Sequence, residues 1–483
     1  MLRLIFDKRV NLILIFLYIL CNGVLIYYNN YHLLLLPLLL IIIYLFLFHI
    51  DIVFLLIVFC TPFSFNFENL ELGGIGFYFP TEPLLLLFSI VFLMKIIYQK
   101  RKLSSISHLK HPITLIILIQ LLWIFLTCIT SEFPHISFKF LIARCWFIIP
   151  IFFYAIHFFK EGKHRIIQFL WAFIIPIFIV CLYTLITHYK NDFSEESGHW
   201  VMWPFFKDHT SYGAIVAISI PMVLFLLKET KEIYFKYLLI LVSIVLFLSL
   251  YFSYTRAAWL SIVFAGLVYL LYKYKVKLKW LLSFSIISGL IVFLNFSDLS
   301  YIIEKNDAEH TTENFSERIE SMSNISSDAS NLERLNRWSC AIKLFEQRPF
   351  FGWGPGTYSF VYAPFQSSNN LTIISTNFGD AGNAHSEYLG PLSEQGLFGM
   401  LIMLILVITI FYISGKFYVT SKAGFDRNLC MMIILSLTTY FSHAILNNYL
   451  DTDKASVPVW GLIAIFVTIN TYKSSNKNQN AHK

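Results

Sequence analysis

The sequence predicts an all-α polytopic membrane protein with about 12–14 transmembrane helices and one long loop outside the membrane. Hydrophobic residues make up 57% of the 483 residues and charged residues 13%, whereas about a quarter of the residues in a soluble globular protein are charged. The runs 113–130 and 280–297 contain no charged residue. Each is long enough for a helix to cross a hydrocarbon core of about 30 Å.

The apolar runs divide the chain into four parts. Residues 1–297 are expected to form an N-terminal bundle of about 11 helices, 298–395 the loop with short helices, 396–472 the C-terminal transmembrane helices, and 473–483 a cytoplasmic tail. A count of twelve spans fits as well as fourteen, because two of the runs are short. The predicted spans are 11–28, 32–48, 50–65, 80–97, 113–130, 138–158, 166–188, 210–227, 237–253, 257–272, 280–297, 396–415, 429–448 and 457–472.

Basic residues indicate the orientation of the spans. With fourteen spans, the loops rich in Lys and Arg all fall on one side, which the positive-inside rule assigns to the cytoplasm, together with both termini. The long loop then lies outside the cytoplasmic membrane. The first span follows a basic start but has no small-residue cleavage site, so a retained helix is expected. The net charge of +7 is therefore an orientation signal and indicates no nucleic-acid partner.

Two patterns in the long loop predict structure. Leu335, Trp338, Ile342 and Phe345 recur at helical spacing before a proline, which predicts an amphipathic helix ending near residue 348. The following segment, residues 350–358, has three glycines and a proline within five positions, which predicts a tight turn whose backbone can approach a ligand. The part at 304–331 is acidic and rich in Ser and Asn, and predicts no packed element.

A second helix is expected from about Asn383, carrying His385 and Tyr388 on one face toward the membrane. Glycines at 396 and 399 would then open the next span. The seven cysteines lie mostly inside apolar spans, so their spacing predicts neither a disulfide framework nor a zinc site.

The loop motifs resemble those of the O-antigen ligase family of membrane glycosyltransferases. The resemblance is carried by His385-Ser386 followed by Gly396 and Gly399, by Arg256 followed by Leu260, and by the segment from Arg337-Trp338 to Gly352, Gly354 and Gly356. It covers roughly residues 200–400 by motif and the whole chain by topology. The family also includes O-antigen polymerases and bacterial protein O-oligosaccharyltransferases.

The resemblance implies a glycosyltransferase-C-like membrane fold and a reaction at the periplasmic face. A polyprenyl-diphosphate-linked glycan would be transferred to a hydroxyl acceptor, which could be lipid A-core, another glycan or a protein, with no nucleotide sugar, cofactor or required metal. Polymerase and protein-glycosylating activities remain open. A lipid-glycan transporter is the alternative function from another class. Many transporters contain internal repeats, and this sequence has no clear repeat.

Arginines are the candidates for binding the diphosphate. Arg256 lies between two predicted spans, Arg337 on the loop helix and Arg144 inside a span; a planar guanidinium can hold phosphate oxygens in pairs and neutralise a departing diphosphate. Each has a structural alternative. Arg256 would reach lipid phosphate, Arg337 would lie on a solvated face, and Arg144 would pair with a carboxylate that the sequence does not identify.

His385 is the candidate proton acceptor, because an imidazole with an ordinary pKa of about 6.5 is available in its neutral form near pH 7. The alternative is a structural histidine. Tyr388, Trp353, Gly354 and Gly356 are candidate substrate contacts. Asp451 and Asp453 are spaced like a metal-binding pair, but Lys454 adjoins them in a short loop, so no metal site is predicted.

Overall fold

The computed structural model describes residues 8–29, 31–66, 78–99, 106–275, 329–366 and 382–481. The chain divides into two compact units, Met1–Leu56 and Ile57–Lys483. The first unit contains helices α1 (Lys8–Tyr27) and α2 (Leu36–Phe48) and the start of α3 (Ile50–Cys60).

In the described part of the second unit, the regular structure is helical apart from one pair of two-residue strands. Phe65–Asn66 (β1) pairs antiparallel with Tyr78–Phe79 (β2). The helices are α4 (Thr81–Gln99), α5 (Ile106–Leu109), α6 (Pro112–Ile129), α7 (Pro134–Ile148), α8 (Ala155–Phe159), α9 (Lys163–Tyr189), α10 (Glu195–Gly198), α11 (His209–Glu229), α12 (Ile233–Tyr251), α13 (Arg256–Lys273), α14 (Ala329–Gln347), α15 (Tyr358–Val361), α16 (Leu389–Thr420), α17 (Phe425–His443) and α18 (Asp453–Ala481). A π-helical segment, Ile149–Tyr154, joins α7 to α8.

The fold class predicted from the sequence is confirmed. Among the described residues, nine helices are long and apolar enough to cross a membrane, and three shorter apolar helices precede them. The predicted span 280–297 and most of the acidic segment 304–331 lie outside the described residues. Helices α11 and α18 are buried on nearly all sides, which explains why their sequences are apolar without a distinct polar face.

The spans have two recognisable ends. At one end, Lys228 donates a hydrogen bond to Asn428 and Lys163 lies 3.7 Å from the Asp426 carboxylate. Helix α11 starts at the other end of the spans, and α17 finishes there. At that end the segment 444–452 contacts both the start of α11 and the segment 382–388. We refer to these as the basic end and the site end.

The prediction that a helix starts near Asn383 is wrong. Residues 382–388 are irregular, and α16 begins at Leu389 and runs to Thr420. His385 and Tyr388 therefore precede the helix instead of sharing one of its faces. Gly396 interrupts α16 with φ 71° and ψ −170°, a conformation that strongly favours glycine. The Leu397 amide donates to the Pro349 carbonyl at this break, so the loop packs into it.

The predicted loop helix exists as α14, but its packed face was predicted incorrectly. Cys340, Ala341 and Leu344 form a buried cluster with Tyr358 and Tyr362. Ile342, which was expected on the buried face, is 45% exposed. The buried face also includes Glu333, Asn336 and Arg337, so polar side chains pack inward and the hydrophobic period indicated the wrong side.

Candidate functional site

The site end is assembled from four segments of the chain. The residues just before and at the start of α11 contact the loop after α17, where the hydroxyls of Thr210 and Tyr449 share a hydrogen bond. The Asp208 carboxylate caps α11 by accepting from the Ser211 amide at 2.7 Å. Helix α14 and residues 382–388 complete the arrangement. One cavity lies between these four segments, and a second cavity beside it is also lined by α6, α7 and α16.

The first cavity, which we call the Arg337 cavity, has a volume of about 320 Å³. It has two arginines, two carboxylates, one imidazole and several amides in its wall. Its lining residues are Asp208, Thr210, Glu333, Arg334, Arg337, Asn383, His385, Asn447, Asn448 and Tyr449. It thus brings together two residues predicted from the sequence, Arg337 and His385.

Arg337 is held rigidly in this wall. Its Nε lies 2.7 Å from Glu333 Oε1, and its Nη1 donates to the Asn383 carbonyl at 3.3 Å. The guanidinium also lies over the Tyr362 ring. Both members of the ion pair are buried, so Arg337 is not on the solvated face that was its structural alternative. Glu333 and the Asn383 carbonyl thus fix the position of the Arg337 guanidinium in the cavity wall.

His385 is the imidazole of the cavity. Its backbone has φ 45°, and its amide donates to Asn383 Oδ1 at 3.0 Å. Burial lowers the pKa of His385 to about 4, with the nearby charges of Arg337 and Arg334 acting in the same direction. A hydrogen bond with Asn447 and the charge of Glu333 oppose this shift. The imidazole is therefore neutral near pH 7, as a proton acceptor must be.

Arg334 was missed by the sequence analysis although it lines the same cavity as Arg337. Its charge acts on both His385 and His209. Arg334 precedes Arg337 by one helical turn, so the spacing i, i+3 placed the two guanidiniums on one face of α14. That spacing was the available signal. It was not recognised because the apolar residues of α14 indicated another packed face.

Arg256 lies near the Arg337 cavity but lines neither cavity among the described residues. It is the first residue of α13, and the preceding Thr255 hydroxyl donates to the His209 carbonyl at 2.8 Å. The charges of Arg256 and Arg334 both act on the His209 imidazole. Arg256 and His385 are therefore at the same end of the spans, separated by the start of α11.

The second cavity, which we call the Glu387 cavity, has a volume of about 270 Å³ and shares Asn383 and Asn448 with the first. Its other lining residues are Gln120, Ile124, Phe140, Arg144, Gly356, Tyr358, Ser359, Gly382, Ala384, Ser386, Glu387, Gly390, Pro391, Glu394, Gln395, Met403, Leu450, Asp451 and Thr452. Residues 383–387 thus run between two adjoining cavities.

Glu387 was also missed by the sequence analysis. Its Oε1 accepts hydrogen bonds from the Tyr440 hydroxyl at 2.9 Å and from the amides of Tyr449 and Leu450 at 2.8 and 2.7 Å. Burial raises the pKa of Glu387 to about 7, the Asp451 charge acts in the same direction, and the charge of Arg144 and the hydrogen bonds oppose it. The signal available in the sequence was a carboxylate two positions after His385, before an apolar run.

Arg144 lines the Glu387 cavity and not the Arg337 cavity. Its Nη2 lies 2.7 Å from Asp451 Oδ1, and its Nη1 donates to the Leu450 carbonyl at 3.2 Å. Asp451 is thus the carboxylate that the sequence alone did not identify. The separation of 307 positions explains why no local pattern revealed the pair.

Tyr388 and Trp353 line neither cavity among the described residues. The Tyr388 hydroxyl donates to the Phe441 carbonyl at 3.1 Å. The Trp353 indole nitrogen donates to the Leu344 carbonyl at 3.0 Å, and its ring lies under the Arg348 guanidinium at 4.0 Å. The polar atoms of both side chains are therefore already hydrogen-bonded to backbone carbonyls of the protein.

The glycine turn at residues 352–356 mainly packs against other segments of the protein, and only part of it lines a cavity. Gly354 has φ 114°, and a Cβ built there would overlap Ser131. Its amide donates to the Glu394 carbonyl at 2.8 Å. Gly356 lines the Glu387 cavity. The turn thus joins the start of α16 to the α6–α7 connection and contributes one glycine to a cavity wall.

The acidic pair Asp451 and Asp453 has other partners. Asp451 pairs with Arg144, and the buried Asp453 accepts a hydrogen bond from Ser64 at 2.5 Å. Within the described ranges, no group of three or more His, Cys, Asp and Glu side chains is arranged to hold a metal ion.

Comparison with known protein families gives a match that covers residues 241–404. This segment matches the O-antigen ligase model, and it contains Arg256, α14, the glycine turn, His385 and the first half of α16. The resemblance predicted from the motifs is confirmed, and it supports a glycosyltransferase-type role in surface polysaccharide assembly. A search of curated proteins found no match.

Proposed function

We propose that this multi-pass membrane protein, with its O-antigen ligase segment at residues 241–404, transfers a glycan from a polyprenyl-diphosphate donor to a hydroxyl acceptor. The observation that supports this most strongly is the Arg337 cavity, where two guanidiniums and a neutral imidazole lie in one wall. All of the residues that α14 and 382–388 contribute to this cavity fall within the matched segment.

The diphosphate would bind at Arg334 and Arg337. Arginine holds phosphate oxygens through paired hydrogen bonds and stays charged at all relevant pH values. Glu333 orients Arg337 but neutralises part of its charge, and Arg334 adds a second guanidinium to the same cavity. Arg256, next to His209, would attract the donor as it enters. Arg144 is paired with Asp451 and would not contact the phosphates.

The transfer would be a single displacement. The acceptor oxygen attacks the anomeric carbon, the bond from that carbon to the diphosphate oxygen breaks, and the diphosphate leaves on the polyprenyl tail. His385 would accept or orient the hydroxyl proton. Arg334 and Arg337 would stabilise the negative charge that develops on the leaving group. Inversion at the anomeric carbon follows from one displacement.

The site end would face the periplasm of a bacterial inner membrane. This orientation is supported by the basic loops at the opposite end of the spans, which the positive-inside rule assigns to the cytoplasm. Both termini would then be cytoplasmic. The polyprenyl tail would remain among membrane lipids while the diphosphate enters the Arg337 cavity.

A reconstituted transfer assay tests the proposal. The protein in proteoliposomes is given lipid-linked glycan from the cells that make it, with lipid A-core, glycan and protein acceptors in separate reactions. His385→Gln is expected to lower the transfer rate by about 10²- to 10⁴-fold. His135→Gln is the matched control, because His135 is exposed at the same end and lines neither cavity.

The acceptor that yields product distinguishes ligase, polymerase and protein-glycosylating activities. Equal transfer rates for wild type and His385→Gln would reject the role of His385. Movement of the lipid-linked glycan across the bilayer without transfer to any acceptor would favour a transporter.

A further inference from the structure

The Glu387 cavity has a different chemical character from the Arg337 cavity beside it. Its wall contains the carboxylates of Glu387, Glu394 and Asp451. The one arginine, Arg144, is paired with Asp451. The wall therefore offers a diphosphate no second guanidinium beyond the paired Arg144, so this cavity does not suit the part of the donor that the arginines would bind.

A buried glutamine in the wall of this cavity has a side-chain oxygen without a partner among the described residues. Gln120 lies in the cavity wall and is 8% exposed, and its Oε1 has no hydrogen-bond partner in the described part of the chain. Its amide nitrogen approaches only the Met403 sulfur, at 3.9 Å. Leaving a buried polar atom without a partner is costly. Because this oxygen is buried, a donor on a bound molecule would reach it after the Gln120 amide rotates toward the cavity.

A second unsatisfied acceptor lies where the two cavities meet. Asn448 Oδ1 is buried without a partner, and Asn448 lines both cavities. Glu387 also lines this cavity, and its Oε1 accepts three hydrogen bonds from the protein. The wall therefore offers several acceptors at spaced positions, together with apolar surface from Ile124 and Phe140.

This combination matches a sugar ring. Sugar hydroxyls donate hydrogen bonds to carboxylate and amide oxygens, and the C–H faces of the ring pack on apolar side chains. The volume of about 270 Å³ is near the lower limit of about 300 Å³ for ligand pockets. It would suit one ring better than an oligosaccharide.

We infer that the Glu387 cavity binds one sugar residue, with Gln120, Asn448 and Glu387 accepting its hydroxyl protons. The choice of ligand rests on the proposed transferase function. If the sugar is the first residue of the donor, its anomeric carbon lies at the boundary near Asn383 and Asn448, next to His385, while the diphosphate occupies the Arg337 cavity. If it is the acceptor sugar, its hydroxyl reaches the same boundary from the other side.

The test uses the full chain in lipid nanodiscs and three probes. These are the lipid-linked glycan from the cells that make the protein, bare undecaprenyl diphosphate, and the free glycan released from the first probe by mild acid. Gln120→Leu removes the unsatisfied oxygen. Because that oxygen has no partner in the protein, this variant is expected to unfold at or above the wild-type temperature.

Two further variants complete the design. Thr114→Val is the matched control, because Thr114 is buried on the same helix with an unpartnered hydroxyl but lines neither cavity. Gly390→Leu adds a side chain at a wall position where a Cβ would meet nothing within 4 Å. It tests the cavity by filling it and does not depend on the fate of Gln120→Leu.

A donor sugar predicts that Gln120→Leu and Gly390→Leu weaken binding of the lipid-linked glycan at least fivefold and leave bare undecaprenyl diphosphate unchanged. Where the acceptor is a further copy of the same glycan, an acceptor sugar predicts the same loss for the free glycan only. Unchanged binding of both glycan probes in both variants, or equal losses in Thr114→Val, overturns the inference. If wild type binds the free glycan in a Gln120-dependent way but does not bind undecaprenyl diphosphate, the sugar site stands and the proposed donor fails.

Discussion

Arg337 and Glu333 form a buried ion pair at the wall of a cavity, with Nε and Oε1 2.7 Å apart and side-chain exposures of 7% and 6%. Both residues lie on α14, one helical turn apart. The pair fixes the guanidinium beside His385, but it also leaves Arg337 partly neutralised. Arg334 and Arg337 together are therefore needed to make the cavity attractive to a diphosphate.

Replacing Arg337 alone should lower the free energy of unfolding more than replacing both members of this ion pair. Arg337→Met leaves the Glu333 carboxylate buried without its partner, which typically costs about 3–5 kcal/mol. Arg337→Met combined with Glu333→Leu should recover most of that loss, since apolar replacements of a buried pair are often neutral. Thermal unfolding of the detergent-purified variants measures this. A double variant as unstable as the single one would contradict it.

Glu387 and His385 should give opposite contributions to the pH dependence of stability. The folded pKa of Glu387 is raised to about 7, so its contribution is complete below pH 4.5 and is lost as the pH rises toward 7. The folded pKa of His385 is lowered to about 4, so its contribution is present above pH 6.5 and is lost as the pH falls toward 4.

Unfolding temperatures recorded from pH 5 to 6.5 check these signs. Glu387→Gln should make stability increase more steeply with pH than in wild type, and His385→Gln should make it increase less steeply. The same direction of change in both variants would show that one of the two environments is described incorrectly.

The pair Arg144–Asp451 should respond unequally to its two neutral replacements. Asp451 is 42% exposed and Arg144 8% exposed, so water can hydrate a lone Asp451 carboxylate but not a lone Arg144 guanidinium. Asp451→Asn is thus expected to lower the free energy of unfolding by about 1–3 kcal/mol, and Arg144→Gln by less. Denaturant unfolding measures the free energy of unfolding of the two variants. A larger decrease for Arg144→Gln than for Asp451→Asn would contradict this prediction.

Gly354 should not tolerate a side chain. Its φ of 114° and the overlap of a Cβ with Ser131 predict that Gly354→Ala costs at least about 1–3 kcal/mol. Gly266→Ala is the matched control, because a Cβ there meets nothing within 4 Å and alanine favours a helix by about 0.5–1 kcal/mol. Comparable unfolding temperatures for the two variants would disprove the close approach.

Composition and residue patterns were enough to predict the membrane class, most of the described spans and the gathering of Arg256, Arg337 and His385 at one end. Long uncharged runs and basic loops are local features that one sequence displays directly. The motifs then indicated the family. These predictions needed no knowledge of contacts between distant segments.

Other parts of the site depend on contacts that a sequence does not display. Asp451 meets Arg144 and Glu387 meets Tyr440 only after the spans have packed. The packed face of α14 was mistaken because Glu333 and Arg337 satisfy each other in its interior, so polar residues occupy positions that an apolar period would assign to the surface. Tyr388 was expected to share a helical face with His385, but α16 begins after both.

The central claim is that Arg334 and Arg337 bind the donor's diphosphate, and equilibrium binding of undecaprenyl diphosphate to the protein in nanodiscs tests it most directly. Arg334→Gln should weaken binding by at least about tenfold, equal to about 1.4 kcal/mol. Arg348→Gln, which alters an exposed arginine paired with Glu132 outside both cavities, should match wild type. Equal affinities for wild type and Arg334→Gln would contradict the claim.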